Sequence, residues 1–234
     1  MGLSILVIPD TQAPFHHPDT IPFLKAVKRK YKCKEVVHIG DEIDFSPIST
    51  SFMPDPDGIG FKEEFKQAIA FMKKLYKAFP KVKVCVSNHT MRPFKKASDA
   101  GLPSVFLKSY REFLQAPKTW EWRDEWEIDG ILFIHGMGFS GQNGHVKAAE
   151  KHRQSTVIGH IHSSAGINYL NNRKNHLIFG FNVGCLIDLK SYAFNYGKNF
   201  PNKPTLGCGV IINGKPIFVP MILDRRGKWN KKIM

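Results

Sequence analysis

Apolar runs and amphipathic segments alternate along the first third of the chain. Residues 3–8, 35–39 and 82–86 are mostly apolar and rich in β-branched side chains, a pattern that predicts buried strands. Between them, apolar residues recur at helical spacing in 19–30, where Asp19 suits the N-cap position, and in 61–76. This order predicts an α/β fold, in which loops at the carboxyl ends of the strands form the functional site.

The second half of the chain favours strands joined by turns. Residues 120–128 alternate between apolar and polar, Asp129-Gly130 is a hairpin turn sequence, and residues 131–134 form the returning strand. Further strands are predicted at 177–183, 209–212 and 217–223, and another ends at Gly159-His160 after a short helix. The stretches 46–60, which contains several prolines, and 136–144, which is rich in glycine, are predicted to be loops. Because no repeat or linker interrupts the pattern, residues 1–234 are interpreted as a single domain.

Composition narrows the class of protein. Hydrophobic residues make up 42% of the chain, which is enough for a sizeable core. No apolar stretch reaches the length of about 20 residues that a membrane-spanning helix needs, and no secretory signal is evident. The four cysteines are widely spaced and form no metal-binding pair, which indicates free thiols in a reducing compartment. We therefore expect a cytoplasmic protein that does not act at a membrane.

The charge balance points to a polyanionic partner. Lys and Arg number 34 against 20 Asp and Glu, which gives a formal net charge of +14. Such an excess attracts polyanions through an electrostatic term that does not depend on their sequence. A basic surface that only aids solubility is the alternative. Together with the site chemistry below, the charge favours nucleic acid, DNA or RNA, as the partner and leaves the oligomeric state open.

Metal-ligand residue types stand at the carboxyl ends of five predicted strands. They are Asp10, Asp41, Asn88-His89, His135 and His160-Ile161-His162. A single Asp or His at a strand end is most often a loop residue that faces water. Five such endings with carboxylate, amide and imidazole donors indicate a metal site, because strand ends converge at one edge of a sheet.

The order of these residues resembles the motif series of the calcineurin-like metallophosphoesterase superfamily. That series reads Asp-x-His, Gly-Asp-x-x-Asp, Gly-Asn-His-Asp/Glu, a later His, and Gly-His-x-His. The matching segments here are Asp10-Thr11-Gln12, Gly40-Asp41-Glu42-Ile43-Asp44, Ser87-Asn88-His89-Thr90, His135-Gly136 and Gly159-His160-Ile161-His162. The second and the last of these matches are complete. The resemblance implies an α/β fold built as a two-sheet sandwich flanked by helices, in the layer order α/β/β/α.

The resemblance also implies a role for each matching residue. Two divalent metal ions are expected, with Mn²⁺ as the first choice and Fe, Zn, Ni or Mg as alternatives. Asp41 would bridge them; the first ion would be completed by Asp10, Gln12 and His162, and the second by Asn88, His135 and His160. His89 would act as a general acid or stabilise charge on the phosphoryl group, and Asp44 would orient it and favour its protonated form.

Two residues depart from the family pattern. Gln12 stands where the family has a histidine, and an amide oxygen binds metals more weakly than imidazole. We therefore expect a weakened first metal site. Thr90 replaces the acidic residue after the general acid, which removes a charge from the rim of the site without abolishing activity.

Three further features have weaker support. Arg92 follows His89 closely enough to reach a substrate phosphate from the same loop, although a solvated arginine is the alternative. His16 lies in the loop after the first motif, where it would approach the first metal or the substrate, or else be an ordinary surface residue. The tryptophans between Trp120 and Trp126 are interpreted as a packed face rather than as a platform for stacking bases.

The leading functional hypothesis is a metal-dependent phosphodiesterase, a nuclease in which a metal-bound hydroxide attacks the phosphodiester bonds of nucleic acid. One alternative is a phosphomonoesterase, a protein phosphatase or a cyclic-nucleotide phosphodiesterase of the same superfamily. Protein phosphatases continue the second motif with Arg-Gly, whereas Phe45-Ser46 follows Asp44 here. A second alternative is a nucleic-acid-binding protein that keeps the fold without catalysis.

Overall fold

Two mixed β-sheets lie face to face in the computed structural model, which describes residues 3–49, 58–190 and 203–233. The first sheet has the strand order β11-β10-β1-β2-β3-β4. Its strands are β1 (Ser4–Ile8), β2 (Glu35–His38), β3 (Val82–Cys85), β4 (Trp120–Arg123), β10 (Gly207–Ile212) and β11 (Lys215–Pro220). Strands β1 to β4 run parallel, and β10 and β11 add an antiparallel hairpin beside β1.

The second sheet has the strand order β5-β6-β7-β9-β8. Its strands are β5 (Glu125–Ile128), β6 (Ile131–Ile134), β7 (Ser155–Ile158), β8 (Gly166–Leu170) and β9 (Ile178–Asn182). Strands β6, β7 and β9 run parallel, so their carboxyl ends share one edge, as those of β1 to β4 do in the first sheet.

Helices cover the outer faces of the sandwich. They are α1 (Thr20–Lys30), α2 (Phe61–Ala78), α3 (Asn88–Asp99), α4 (Tyr110–Phe113) and α5 (Gly144–His152), with short 3-10 helices at Ser46–Ile48 and Ser104–Phe106. Helices α1 and α2 pack with the first sheet, and α5 packs on β7 and β9 of the second. The predicted α/β sandwich with flanking helices is confirmed.

Strand β1 shows how the alternation of side chains builds the layers. Leu6 and Ile8 belong to the core between the first sheet and its helices, whereas Ile5 and Val7 belong to the core between the two sheets. Both faces of this strand are therefore buried, which is why residues 3–8 read as a continuous apolar run rather than as an alternating one.

The alternation of residues 120–128 predicts one strand, but the structure divides this stretch into β4 and β5. The chain leaves the first sheet after Arg123 and enters the second at Glu125, so β4 pairs with β3 while β5 pairs with β6. The period of two continues across this crossing, and it carries no information about which sheet each half joins. Trp120 and Trp126 are buried and donate to the carbonyl oxygens of Phe79 and Val84, so these two tryptophans pack in the protein as expected.

Two other elements differ from the sequence prediction. Strand β8 was not predicted, and the segment that carries His89 is a helix, α3, rather than a loop. Pro93 lies inside that helix, where it lacks the amide hydrogen that would reach the carbonyl group four residues earlier. Most of the predicted loop 46–60 lies outside the described residues, whereas 136–143 is irregular as expected.

Within the described residues, no helix is both long enough and apolar enough to cross a membrane. All four cysteines are buried as free thiols, in agreement with their wide spacing. Burial raises the pKa of the Cys33 thiol to about 11, so this side chain is held in its protonated form.

Candidate metal centre

The five strand endings converge, as their positions in the sequence predicted. Asp10 follows β1, Asp41 follows β2, and Asn88 begins α3 directly after β3. From the second sheet, His135 follows β6, and the segment that holds His160 and His162 follows β7. The metal-ligand side chains from both sheets therefore meet at the carboxyl edge of the sandwich.

These residues form two groups that share one carboxylate. Asp41, His135 and His160 form one group, and Asp10, Asp41 and His162 form the other. Within each group the ligand atoms all lie within 4.8 Å of one another. The chemistry of the donors and the shared Asp41 suit two metal ions bridged by a carboxylate, so these residues fit the cofactor that the family resemblance implies.

Acceptor atoms face one another in the group around His135. The Nδ1 atom of His135 lies 3.0 Å from the Ile39 carbonyl oxygen, to which it donates its hydrogen. Its Nε2 atom lies 2.9 Å from Asn88 Oδ1 and 3.4 Å from Asp41 Oδ2. Two oxygens that only accept therefore face this nitrogen, and either a proton on Nε2 or a bound cation would relieve the repulsion. This half of the centre therefore has the chemistry of a metal site.

Asp10 carries an unsatisfied oxygen in the other group. Its side chain is fully buried, and Oδ2 accepts from the His160 amide at 3.0 Å and lies 2.8 Å from His162 Nε2. Oδ1 has no hydrogen-bond partner within the described residues. A buried carboxylate oxygen without a partner is costly, and a bound cation would satisfy it.

Gln12 points its amide nitrogen into the same group. Gln12 Nε2 lies 3.4 Å from Asp41 Oδ2 and 3.5 Å from His162 Nε2. The side chain is 5% exposed, so the amide is held inside the site rather than at its rim. Because the nitrogen is a donor, it offsets part of the negative charge that a metal would otherwise neutralise.

The backbone is strained where these side chains converge. Gln12, Asp41 and His160 have φ values of 43°, 51° and 65°, in the left-handed region that side chains with a Cβ rarely adopt. A Cβ at Gly159 would lie 2.4 Å from Asp10 Oδ1, which explains why a glycine precedes His160. Strain of this kind persists only where the surrounding structure holds it, and it clusters at functional sites.

His89 lies beside the shared carboxylate and pairs with Asp44. His89 Nε2 is 3.6 Å from Asp41 Oδ2, and Nδ1 is 3.1 Å from Asp44 Oδ1. Burial lowers the pKa of His89, but the charges of Asp41 and Asp44 outweigh it and raise this pKa above its ordinary value. The two carboxylates therefore favour the protonated imidazole.

Asp41 is the electrostatic centre of the cluster. Burial raises its pKa, but the nearby His135 and His89 outweigh burial, so this pKa lies well below its usual range. The carboxylate therefore stays ionised and able to bind cations. Burial and His135 lower the pKa of His160, which keeps that imidazole neutral and suited to ligation.

The comparisons with known proteins bear on the fold. No protein-family model matches the sequence, and no curated protein is similar to it at a significant level. Among solved structures, Vps29 from Chaetomium thermophilum is 13% identical, with a TM-score of 0.50 over 100% of this chain and 95% of that chain. The chain has the metallophosphoesterase fold.

Two other solved structures are similar at lower scores. Vacuolar protein sorting 29 from Cryptosporidium parvum is 14% identical, with a TM-score of 0.49 over 100% of this chain and 97% of that chain. The nuclease MPE from Pseudomonas putida is 12% identical, with a TM-score of 0.38 over 92% of this chain and 85% of that chain. At such low identities the likeness concerns only the fold. The chemistry of this chain has to be inferred from its own residues.

Arg92 does not extend from a loop toward solvent. It lies on α3 with 4% of its surface exposed, and its Nη1 donates to the Asp44 carbonyl oxygen at 2.5 Å. The same nitrogen is 3.6 Å from Asp44 Oδ1. This arginine therefore holds the partner of His89 in place, and contact with a substrate phosphate stays a prediction.

Thr90 and His16 also differ from their expected settings. Thr90 is buried rather than at the rim, because its side chain and that of Ser87 form a capping box at the start of α3. His16 stacks on Phe71 of α2 with ring centroids 3.5 Å apart. Burial lowers the pKa of His16 to about 4, and none of the charged groups that affect it belongs to the metal cluster.

Asn182 is a supporting residue that the sequence did not reveal. Its Nδ2 donates to the carbonyl oxygens of Ile161 and Ser164 at 2.9 and 2.6 Å, and its Oδ1 accepts from the Gly184 amide at 3.2 Å. These bonds brace the segment that carries His160 and His162. An asparagine at the end of an apolar strand is the signal that could have pointed to it.

Glu42 is a second residue that the motif match did not single out. Its side chain is fully buried behind Asp41, and Oε1 accepts from Trp122 Nε1 at 2.7 Å. Burial raises the pKa of Glu42 to about 7. The Glu42 carbonyl oxygen also accepts from Thr11 Oγ1 at 3.0 Å, so this residue ties the first motif to the second.

Proposed function

We propose that this protein is a metal-dependent phosphoesterase that hydrolyses phosphodiester bonds in nucleic acid. The observation that carries the proposal is the pair of ligand groups that share Asp41, with the His89–Asp44 pair directly beside that carboxylate. Ion binding without hydrolysis does not call for a protonated histidine at this place.

The residues of the two groups would hold two divalent cations. Asp41, Asn88, His135 and His160 would hold one, and Asp10, Asp41 and His162 the other. When bound, such a pair neutralises phosphoryl oxygens and lowers the pKa of water, which makes a nucleophile available near neutral pH. The carboxylate and amide oxygens suit Mn²⁺, which remains the first choice, whereas the imidazoles also suit Fe, Ni or Zn.

His89 would supply the proton that the leaving group needs. Asp44 holds its Nδ1 side, and Nε2 faces the shared carboxylate at the centre of the cluster. A substrate phosphate bound there would bring its leaving oxygen within reach of Nε2–H. The imidazolium would donate this proton as an oxygen from water bonds to phosphorus and the bond from phosphorus to the leaving oxygen breaks, so the alcohol leaves in neutral form.

The charge of the chain supports nucleic acid as the substrate. A net charge of +14 favours a polyanion over a small ester, although the ligand groups by themselves accept any phosphoester. The second motif lacks the Arg-Gly that protein phosphatases carry. Phosphomonoesters and cyclic nucleotides are therefore secondary candidates.

Gln12 favours one further candidate, a nucleic-acid-binding protein without catalysis. Its amide nitrogen faces two ligand atoms of the first group, where a histidine would bind the metal. Loss of one ion would remove much of the charge stabilisation on which hydrolysis depends. The intact His89–Asp44 pair argues against this candidate, because a binding protein has no need of it.

The deciding experiment is an activity panel with added manganese. The substrates are a chromogenic diester, a chromogenic monoester, single- and double-stranded DNA, and RNA. We expect hydrolysis of the diester and of at least one nucleic acid. The His89→Ala and Asp41→Asn variants should lose it, whereas His176→Ala, which removes an exposed histidine, should not. The catalytic proposal is wrong if no substrate is turned over or if all three variants match the wild type.

A further inference from the structure

A tight turn near the C-terminus displays a cluster of cations. Residues 224–228 read Asp-Arg-Arg-Gly-Lys, and the side chains of Arg225, Arg226 and Lys228 are exposed. Asp224 offsets one of these charges, and its Oδ1 shapes the turn by accepting from the backbone amides of Arg226 at 2.8 Å and Lys228 at 3.0 Å. Lys190 adds a fourth cation, since its Nζ lies 3.5 Å from where a Cβ on Gly227 would be. We call residues 224–228 the basic turn.

The basic turn is fastened to the loop that follows Asp10. His17 Nδ1 accepts from the Asp19 amide, so Nε2 carries the hydrogen and donates to the Gly227 carbonyl oxygen at 2.9 Å. Asp19 Oδ2 in turn accepts from the Trp229 amide at 3.0 Å. The Trp229 ring packs edge-on against Phe23, with centroids 5.5 Å apart. The turn is therefore a fixed element of the same edge of the sandwich as the metal centre.

The distance between the basic turn and the metal centre can be estimated from a series of paired segments. Asp10 pairs with Cys185, Cys185 pairs with Leu206, and the Met221 amide donates to the Leu206 carbonyl oxygen at 2.9 Å. Adjacent extended segments lie about 4.8 Å apart, so three steps place Met221 about 14 Å from Asp10. The basic turn begins three residues further along the chain, on the side of the first ligand group.

We infer that the basic turn is a docking surface for the phosphate backbone of a single nucleic-acid strand whose scissile bond lies in the metal centre. The inference rests on the proposed function. Charge complementarity selects this occupant, because several cations on an anchored turn outside the site suit a repeating anion rather than a single phosphate. A strand has to extend several nucleotides past the scissile bond to reach the turn. A dinucleotide, whose one phosphate lies at the metal centre, would therefore not reach it.

The test compares two triple variants that each remove three positive charges. The first is Arg225→Gln/Arg226→Gln/Lys228→Gln. The matched control is Lys25→Gln/Lys28→Gln/Arg29→Gln, in the second half of α1 and hence towards the opposite edge, where the chain turns back to begin β2. Both variants lower the net charge equally, so a difference between them reports the position of the charge and not its amount.

Binding is measured first, on metal-free protein, by fluorescence anisotropy with a labelled single strand of about 20 nucleotides over a salt series. We expect the basic-turn variant to bind about 10-fold more weakly and to lose about 2 from the magnitude of the log–log salt slope. The control should stay near the wild type. The inference is overturned if the basic-turn variant binds as the wild type does, or if both variants weaken equally.

Hydrolysis separates this inference from the proposed function. With manganese, the basic-turn variant should show a lower kcat/KM on the long strand and an unchanged kcat/KM on a dinucleotide and a chromogenic diester. If the wild type hydrolyses no diester, the proposed function fails, while the anisotropy result still decides the docking surface. A variant that loses activity on the dinucleotide as severely as on the long strand contradicts the inference. Circular dichroism on each variant verifies that the fold is retained.

Discussion

The two halves of the metal centre share Asp41 but differ in what faces it. Around His135, a carboxylate oxygen, an amide oxygen and an imidazole nitrogen converge, and a proton on the imidazole or a bound cation relieves the repulsion between them. Around Asp10, the amide nitrogen of Gln12 already donates to Asp41 Oδ2 at 3.4 Å and lies 3.5 Å from His162 Nε2. The half with Asp10 therefore contains an amide donor where a metal would bind, whereas in the half with His135 the Asn88 amide presents its oxygen.

This difference suggests an order of metal binding. A cation entering the half with His135 displaces at most a proton, and it binds an imidazole nitrogen and two oxygens. A cation entering the half with Asp10 binds the unsatisfied Asp10 Oδ1. The Gln12 amide must also rotate before it can serve as a ligand, since only its oxygen can bind a metal. We therefore expect the first ion to bind tightly beside His135 and the second to bind weakly beside Asp10.

The largest effect should come from Asp41→Asn, because this carboxylate belongs to both halves. We expect the variant to retain neither ion after dialysis and to hydrolyse a chromogenic diester at least about 10³-fold more slowly, as several kcal/mol of charge stabilisation is lost. Asp10→Asn should release only the weaker ion. Elemental analysis and steady-state rates measure both outcomes.

Asp99→Asn is the matched control, since Asp99 is exposed at the end of α3 and far along the helix from the cluster. It should keep the metal content and the rate of the wild type. Retention of both ions by Asp41→Asn would contradict the shared-carboxylate arrangement.

Gln12→His should remove the difference between the halves. The φ of 43° at this position is one that histidine tolerates better than most residues. With imidazole in place of the amide, we expect affinity for the second ion to rise by about 10-fold or more, because imidazole is the stronger ligand. Isothermal titration with Mn²⁺ would show one tight site in the wild type and two in the variant.

Gln12→Asn is the control for Gln12→His, because it keeps the amide but shortens its reach. It should bind the second ion no better than the wild type does. If the wild type already retains two ions through dialysis, the asymmetry between the halves is absent and this explanation of Gln12 is wrong.

Most of the architecture and the convergence of ligands could be predicted from the sequence. Buried parallel strands read as apolar runs, and their carboxyl ends must share an edge, so the residue pattern alone predicts that Asp10, Asp41 and Asn88 lie together. The crossing at Asp124 could not be predicted, because alternation repeats every two residues in either sheet. The residue pattern did not predict helix α3, because Pro93 and the β-branched Thr90 lower helix propensity.

The environment of individual side chains was harder to predict than their position. Arg92 is spaced correctly for a substrate contact, yet the helix turns it inward to Asp44. His16 follows the first motif, yet it stacks on Phe71 in a helix far along the chain. Contacts of this kind depend on packing between distant segments, which a single sequence does not encode locally.

Asp44→Asn should change the pKa of His89 without removing a ligand from either half of the metal centre. Burial lowers the pKa of His89, and the charges of Asp41 and Asp44 raise it, so removal of one charge should lower this pKa. An NMR titration of the metal-free protein measures the shift, and Asp99→Asn again serves as the control. An unchanged His89 midpoint would show that Asp44 does not act on this histidine.

The sign of the linked stability change follows from the raised pKa. The folded protein binds the His89 proton more tightly than the unfolded chain, so the stabilisation is complete below the ordinary pKa of 6.5. It is lost as the pH rises through the folded-state value. Asp44→Asn should flatten this part of the pH profile, which urea denaturation at several pH values can detect.

The smallest effect should come from Ser87→Ala, which tests how the half with Asn88 is held. Ser87 Oγ accepts from the Thr90 amide at 3.1 Å, as the cap of α3, and from the Asp41 amide at 3.0 Å. Loss of the cap should cost about 1 kcal/mol, or about 2–4 °C in Tm for a chain of this size. Ser98→Ala, at an exposed position near the other end of α3, should leave Tm almost unchanged.

The hydrogen bond from the Asp41 amide to Ser87 Oγ makes this small change informative about the difference between the two halves. Because Ser87 also fixes the backbone of Asp41, its loss should loosen the carboxylate that both ions share, and the weaker ion should respond first. We therefore expect Ser87→Ala to lower Mn²⁺ affinity at the site beside Asp10 more than at the site beside His135. Equal losses at the two sites, or a loss confined to His135, would mean that the halves differ for a reason other than their dependence on Asp41.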